Sequence, residues 1–117
     1  MNEFMNATIT RYLAPGLLLI LTSSPLYAGG DAMAGKEKAQ PCAACHGEDG
    51  NSPDPAFPKL AGQYPSYLEK ALSDYRSGAR QNAIMKGFAA PLSDEDIADL
   101  ASYFASQDGD LHPITPD

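Results

Sequence analysis

One five-residue stretch, Cys42-Ala43-Ala44-Cys45-His46, constrains this chain more than any other. Two cysteines three positions apart, with a histidine directly after the second, form the attachment pattern for a c-type haem. The spacing has a chemical reason. Each thiol adds to one vinyl group at the porphyrin edge, giving two thioethers. The backbone then turns so that His46 faces the ring and its imidazole can bind iron. Covalent attachment keeps the group in a fold too small to wrap it fully. The rest of the chain must then cover the ring, supply a sixth ligand and leave one edge for partners. Other uses of Cys-X-X-Cys fit less well. A thioredoxin-like pair follows a strand in a βαβ pattern, and no such pattern precedes Cys42. A structural zinc needs four ligands, and the further candidate is the distant His112. A disulfide at this spacing closes a strained ring and stabilises little.

The chain has 117 residues, enough for one domain, and a net charge of −7. An acidic surface argues against nucleic acid as a partner, because phosphates would repel it. It favours redox protein partners with basic docking surfaces, since complementary charge speeds encounter. Residues 1–28 read as a secretory signal peptide. Arg11 supplies the positive charge, and Leu13 to Leu21 is an apolar run bent by Pro15 and Gly16. Ala28, just before Gly29-Gly30, suits a cleavage site. The apolar run is shorter than the roughly 20 residues that span a bilayer, although an uncleaved anchor is the alternative use of such a segment. The expected mature form has no transmembrane segment and is periplasmic, where bacterial c-type haem is attached. The folded domain is expected over residues 29–107, with a flexible tail over 108–117.

Three helices are expected, joined by loops, with the methionine segment among the loops. A first helix is expected from Asp31, which can cap it, to about Gln40, with Pro41 as its stop. Gly35 in mid-helix is either a site of close helix approach or a tolerated surface glycine. Residues 47–55 are loop chemistry, rich in Gly, Asn, Asp and Pro. Phe57 and Leu60 are apolar residues in the loop that follows; they pack either on the haem or in an ordinary core. A second helix is expected from Pro65 to Ser77, stopped by Gly78, with Tyr64, Tyr67, Leu68, Ala71, Leu72 and Tyr75 on one face. The last helix starts at Ser93, where Asp96 completes a capping box. Its buried stripe is Ile97, Leu100, Ala101 and Phe104, with Tyr103 on the flank, and it frays near Gln107. The acidic cluster at 94–96 reads as capping and solvation rather than docking.

Residues 79–91 form a segment without strand signals that ends in Pro91 and holds a single sulfur, Met85. A buried methionine is usually a gap-filler. Iron, however, needs a sixth ligand, and thioether with histidine is a recognised pair. Met1 and Met5 lie in the export signal and Met33 in the first helix, so Met85 leads; His112 or water is the alternative.

The order helix, Cys-Ala-Ala-Cys-His, loop, Pro-Lys-Leu, helix, methionine segment, helix resembles a class I cytochrome c over residues 30–107. Residues 45–52, 57–63 and 92–101 resemble one half of a cytochrome c4, and also the monohaem bacterial cytochromes of the c553 type. The resemblance implies an all-α fold of three main helices plus loops wrapped around one covalently bound haem c with its iron. It implies that the Pro58 carbonyl accepts the N–H of the ligating His46, that Met85 is the sixth ligand, and that Gly35 meets Tyr103 or Phe104 where the first and last helices cross. Arg80 and Asn82 match positions where such proteins place polar groups near the ligand or the propionates. The cofactor-binding set is thus Cys42, Cys45, His46, Met85 and Pro58, with His46 and Met85 on the metal. The implied function is that of a periplasmic electron carrier, not an enzyme, monomeric or weakly dimeric. The rivals are a haem subunit of a larger oxidoreductase complex and a ligand-binding or peroxidatic haem protein.

Overall fold

The computed structural model describes residues 29–111; the expectations for the export segment 1–28 and for His112 fall outside that range. Within it there are five helices: α1 (Ala32–Lys38), α2 (Gln40–His46), α3 (Pro65–Ser77), α4 (Ala83–Ala89) and α5 (Asp94–Ala105). The three expected helices correspond to α1, α3 and α5, and two short ones are added.

The first addition corrects the reading of Pro41. It does not stop a helix; it sits in the first turn of α2. There a missing N–H costs nothing, because first-turn N–H groups have no partner within the helix. The attachment motif is therefore helical up to His46 itself, and Gly47, at φ 83°, ends the turn. The second addition is α4, in a segment read as irregular. Asn82 caps it by accepting the Met85 N–H at 3.0 Å, so Met85 sits on a helix and not in a loop.

Helices α1 and α5 cross in backbone contact. A Cβ on Gly35 would lie 2.0 Å from the Asp99 carbonyl oxygen and 2.8 Å from Tyr103 Cβ, so close approach is the reason for this glycine. The crossing is also locked by charge. Asp99 is 4% exposed; its Oδ1 accepts the Asp31 N–H at 2.7 Å and its Oδ2 accepts from Lys38 Nζ at 2.6 Å. Lys38 reaches Asp96 as well, at 2.8 Å. Hydrogen bonds to Asp96 and then Asp99 push the Lys38 ammonium above its ordinary range. The same contacts, Lys38 first, hold Asp96 at about 2 and Asp99 below the usual carboxylate range. One of these groups, Asp96, lies on the stretch 94–96 read as a solvated acidic cap, so that stretch both caps α5 and joins it to α1.

The α5 start is as expected: Ser93 Oγ accepts from Asp96 N at 3.0 Å, and Asp96 Oδ2 accepts from Ser93 N at 2.9 Å. Its stripe packs with α3 in a core of Ala39, Leu68, Leu100, Ala101, Tyr103 and Phe104. Gly78 closes α3 in the left-handed conformation, φ 87°, donating to Asp74 O at 3.0 Å. On α3 the aromatic face divides: Leu68 is buried, whereas Tyr64 and Tyr67 are about half exposed. After α5, residues 108–111 fold back on the loop before α3. Asn51 Nδ2 donates to Asp108 O at 2.7 Å, and Lys59 pairs with Asp110.

Candidate functional site

All five residues singled out in the sequence line one cavity of about 360 Å³. Cys42, Cys45 and His46 come from α2, Pro58 from the loop and Met85 from α4. Helices α3 and α5 supply apolar walls, with Leu68, Leu72, Leu100 and Phe104 among them. Phe57 and Leu60 line it too, and Leu60 also packs against the core.

His46 is the fixed point. It is 6% exposed, and its Nδ1 lies 2.8 Å from the Pro58 carbonyl oxygen. A carbonyl can only accept, so Nδ1 carries the proton and Nε2 keeps the lone pair. A second partner of this kind sets both the tautomer and the ring orientation of a ligating histidine. The loop bearing Pro58 is itself held. Gly50 O accepts from Leu60 N at 2.8 Å and Ala61 N at 3.2 Å. Ser52, buried, donates its hydroxyl to Cys45 O at 3.0 Å. Tyr103 donates its phenol to Glu48 O at 2.8 Å, tying α5 to the turn after His46. The roles of Ser52 and Tyr103 were not read from the sequence; the signal for Tyr103 was a hydroxyl on the flank of an apolar stripe.

Both cysteines are half-buried free thiols. Burial pushes the Cys42 thiol up. Met85 is half-buried on α4, beside the exposed Ile84 and Phe88. Arg80 lies on the same cavity wall, ahead of α4 in the chain; its Nη1 is 3.3 Å from the Tyr67 hydroxyl, and its guanidinium lies 4.9 Å from the Tyr75 ring centroid. The hydrogen bond to Tyr67 pushes Arg80 further up. The charged side chains on the walls are Lys59 and Arg80, and no carboxylate is among the lining residues.

These walls fit a haem. Two thiols and a nitrogen donor stand on one helix, a thioether stands on another, the lining is largely apolar, and the cations suit a group that carries two carboxylates of its own.

Known proteins agree with the site. The cytochrome c family model matches residues 32–108. Cytochrome c4 of Pseudomonas aeruginosa is 54% identical over 96 residues, covering 81% of this chain and 48% of that protein. Cytochrome c-554(548) of Halomonas halodenitrificans is 49% identical over 82 residues, covering 68% of this chain and 99% of that protein. The crystal structure of reduced recombinant cytochrome c4 from Pseudomonas stutzeri matches with a TM-score of 0.66 at 49% identity, over 70% of this chain and 48% of that one. The chain spans about half the length of the c4 relatives it matches. With the paired thiols on the cavity wall, these matches identify the bound group as covalently attached haem c with its iron.

Proposed function

Because this chain belongs to the cytochrome c family, we propose that it is a periplasmic carrier of single electrons, with Cys42 and Cys45 attached to the haem and His46 and Met85 as its axial ligands. The observation that carries the reading is the His46 Nδ1 contact with Pro58 O, at 2.8 Å, in the cavity that Met85 also lines. When bound, the group supplies a one-electron ferric–ferrous exchange. Pro58 holds His46 in the tautomer whose Nε2 can donate. The Met85 thioether is a soft donor that favours the reduced metal and raises the potential. Leu68, Leu72, Leu100 and Phe104 keep water from the cavity and disfavour extra positive charge there, again raising the potential. With both axial donors supplied by the chain, no position is left for a substrate, which favours a carrier over an enzyme.

The net charge of −7 suits redox partners with basic patches. No helix among the described residues is long and apolar enough to cross a membrane. Loss of residues 1–28 on export is read from the protein's mass after periplasmic fractionation.

The test is the absorption spectrum of protein matured with the haem-attachment machinery. Sharp low-spin bands on reduction are expected, with the weak far-red band of an iron–sulfur bond on oxidation. That band should vanish in Met85→Ala. Low-spin bands without it would move the sixth ligand to His112 or another base. High-spin bands, or carbon monoxide binding by the reduced protein, would favour a ligand-binding haem protein. Gel filtration of the native protein as a large assembly would favour the complex-subunit role.

A further inference from the structure

The two sides of the cavity are held by different means, and the Met85 side is held in part from outside the cavity. Helix α4 has seven residues and a single buried one, Ala89. A helix that short is marginal by itself. Its extensive helix contact among the described residues is with α3. The segment that carries it, between Gly78 and Leu92, is tied down at both ends by arginine. At the entrance, Arg80 N donates to Asp74 O at 3.1 Å and its side chain rests on Tyr67 and Tyr75. At the exit, Arg76 of α3 donates from Nη1 to the Leu92 carbonyl at 2.8 Å and from Nη2 to Asp94 Oδ1 at 2.5 Å. Arg76 is not on the cavity wall. Its fork spans three elements: the last turn of α3, the linker after α4 and the first residue of α5.

We propose that Arg76 is a positioning residue for the Met85–iron bond: by pinning the Leu92 carbonyl to α3 it holds the exit of the α4 segment shut and sets how readily Met85 leaves the metal. The inference rests on Met85 being the sixth ligand. The two bonds of the fork are unequal. Asp94 is almost fully exposed, at 92%, so its ion pair is weak and screened by salt. The Leu92 carbonyl accepts from a side chain that is only 30% exposed, and a charged donor to a partly buried acceptor is the stronger contact. Lysine cannot reproduce a two-pronged fork, being a point charge on a flexible stem.

The experiment uses the full haem-loaded protein in the ferric state. Imidazole is added, and loss of the far-red iron–sulfur band is followed in time at saturating imidazole, where departure of Met85 limits the rate. Arg76→Ala should accelerate this about tenfold, and Arg76→Gln, which can still donate to the carbonyl, by less. Asp94→Asn should stay within about twofold of the parent. Global unfolding by far-UV circular dichroism is measured on each variant. The proposal stands if exchange accelerates at denaturant concentrations where helicity is intact. It is overturned if Arg76→Ala exchanges at the parent rate, or if exchange accelerates only in step with global unfolding. Should Arg76→Ala fail to mature, Arg76→Gln alone decides by the same comparison. If the parent shows no far-red band, or Met85→Ala retains it, the ligand assignment has failed, an outcome recorded before any Arg76 variant is made.

Discussion

The α1–α5 crossing and the α3–α4 contact are both helix pairs, yet they are built on opposite terms. At the crossing, backbone meets backbone through Gly35, and a nearly buried Asp99 binds both the Asp31 amide and Lys38. This side holds His46 through Tyr103 and the loop it anchors. At the α3–α4 contact, a seven-residue helix with one buried residue is flanked by Arg76, reaching out from α3, and Arg80, reaching back to it. The difference teaches that the two proposed axial ligands sit on supports of unequal stiffness. On these supports the histidine side is expected to open only with the whole fold, and the methionine side by itself.

Substitutions can break or sharpen this contrast. The largest effect is expected from Gly35→Ala, whose new methyl would meet the Asp99 carbonyl at 2.0 Å with only backbone to yield. A cost of about 3 kcal/mol or more is expected in denaturant unfolding, with helicity and far-red band lost together. Asp99→Asn removes a charged acceptor that Lys38 and Asp31 share, and about 2 kcal/mol should go. The pH dependence has a definite sign. Asp96 and Asp99 are held below the ordinary carboxylate range in the folded state, so their contribution is complete above the unfolded pKa of about 4. It is lost as pH falls from there toward about 2, the value at which Asp96 is held. Thermal midpoints measured across that window should drop in the parent and drop less in Asp99→Asn.

On the other side the effects are smaller and local. Asn82→Ala deletes the α4 cap and should cost about 1 kcal/mol, visible as weakened far-red absorbance under mild denaturant before helicity changes. Gly87→Ala should act in the opposite direction. Gly87 lies within α4, and a Cβ there meets nothing within 4 Å. A gain of about 0.5–1 kcal/mol in helix stability is expected, read as slower loss of the far-red band. If Gly87→Ala and Asn82→Ala shifted global unfolding as much as Gly35→Ala does, the two sides would be one cooperative unit and the contrast would fall.

Much of this architecture was legible in the residues. The Ser93 capping box, Pro65 as helix start and Gly78 as helix stop are local signals, and each operates as local chemistry requires. What local signals could not decide was resolved by distant partners. Pro41 carries the same ring whether it ends one helix or opens the next; Ala39, buried in the core, places the break before it. The α4 helix was hidden because Gly87 and neighbouring Pro91 dilute its pattern, although Asn82, three residues before Met85, was a usable cap. Asp99 is the plainest case. A carboxylate one residue before Leu100 looks solvated until Lys38, 61 positions earlier, is brought against it.

The same crossing also orders events in time. Asp31 and Asp99, joined by a hydrogen bond, are 68 positions apart, and Cys42, Cys45, His46, Pro58 and Met85 all lie between them. A chain delivered from its amino end presents α1, the thiols and the methionine before it presents anything for α1 to rest on. Closing so long a loop carries an entropic cost that only the complete α5 can repay. Without α5, Cys42 and Cys45 would stand on a stretch of polypeptide that α1 and α5 together do not yet enclose.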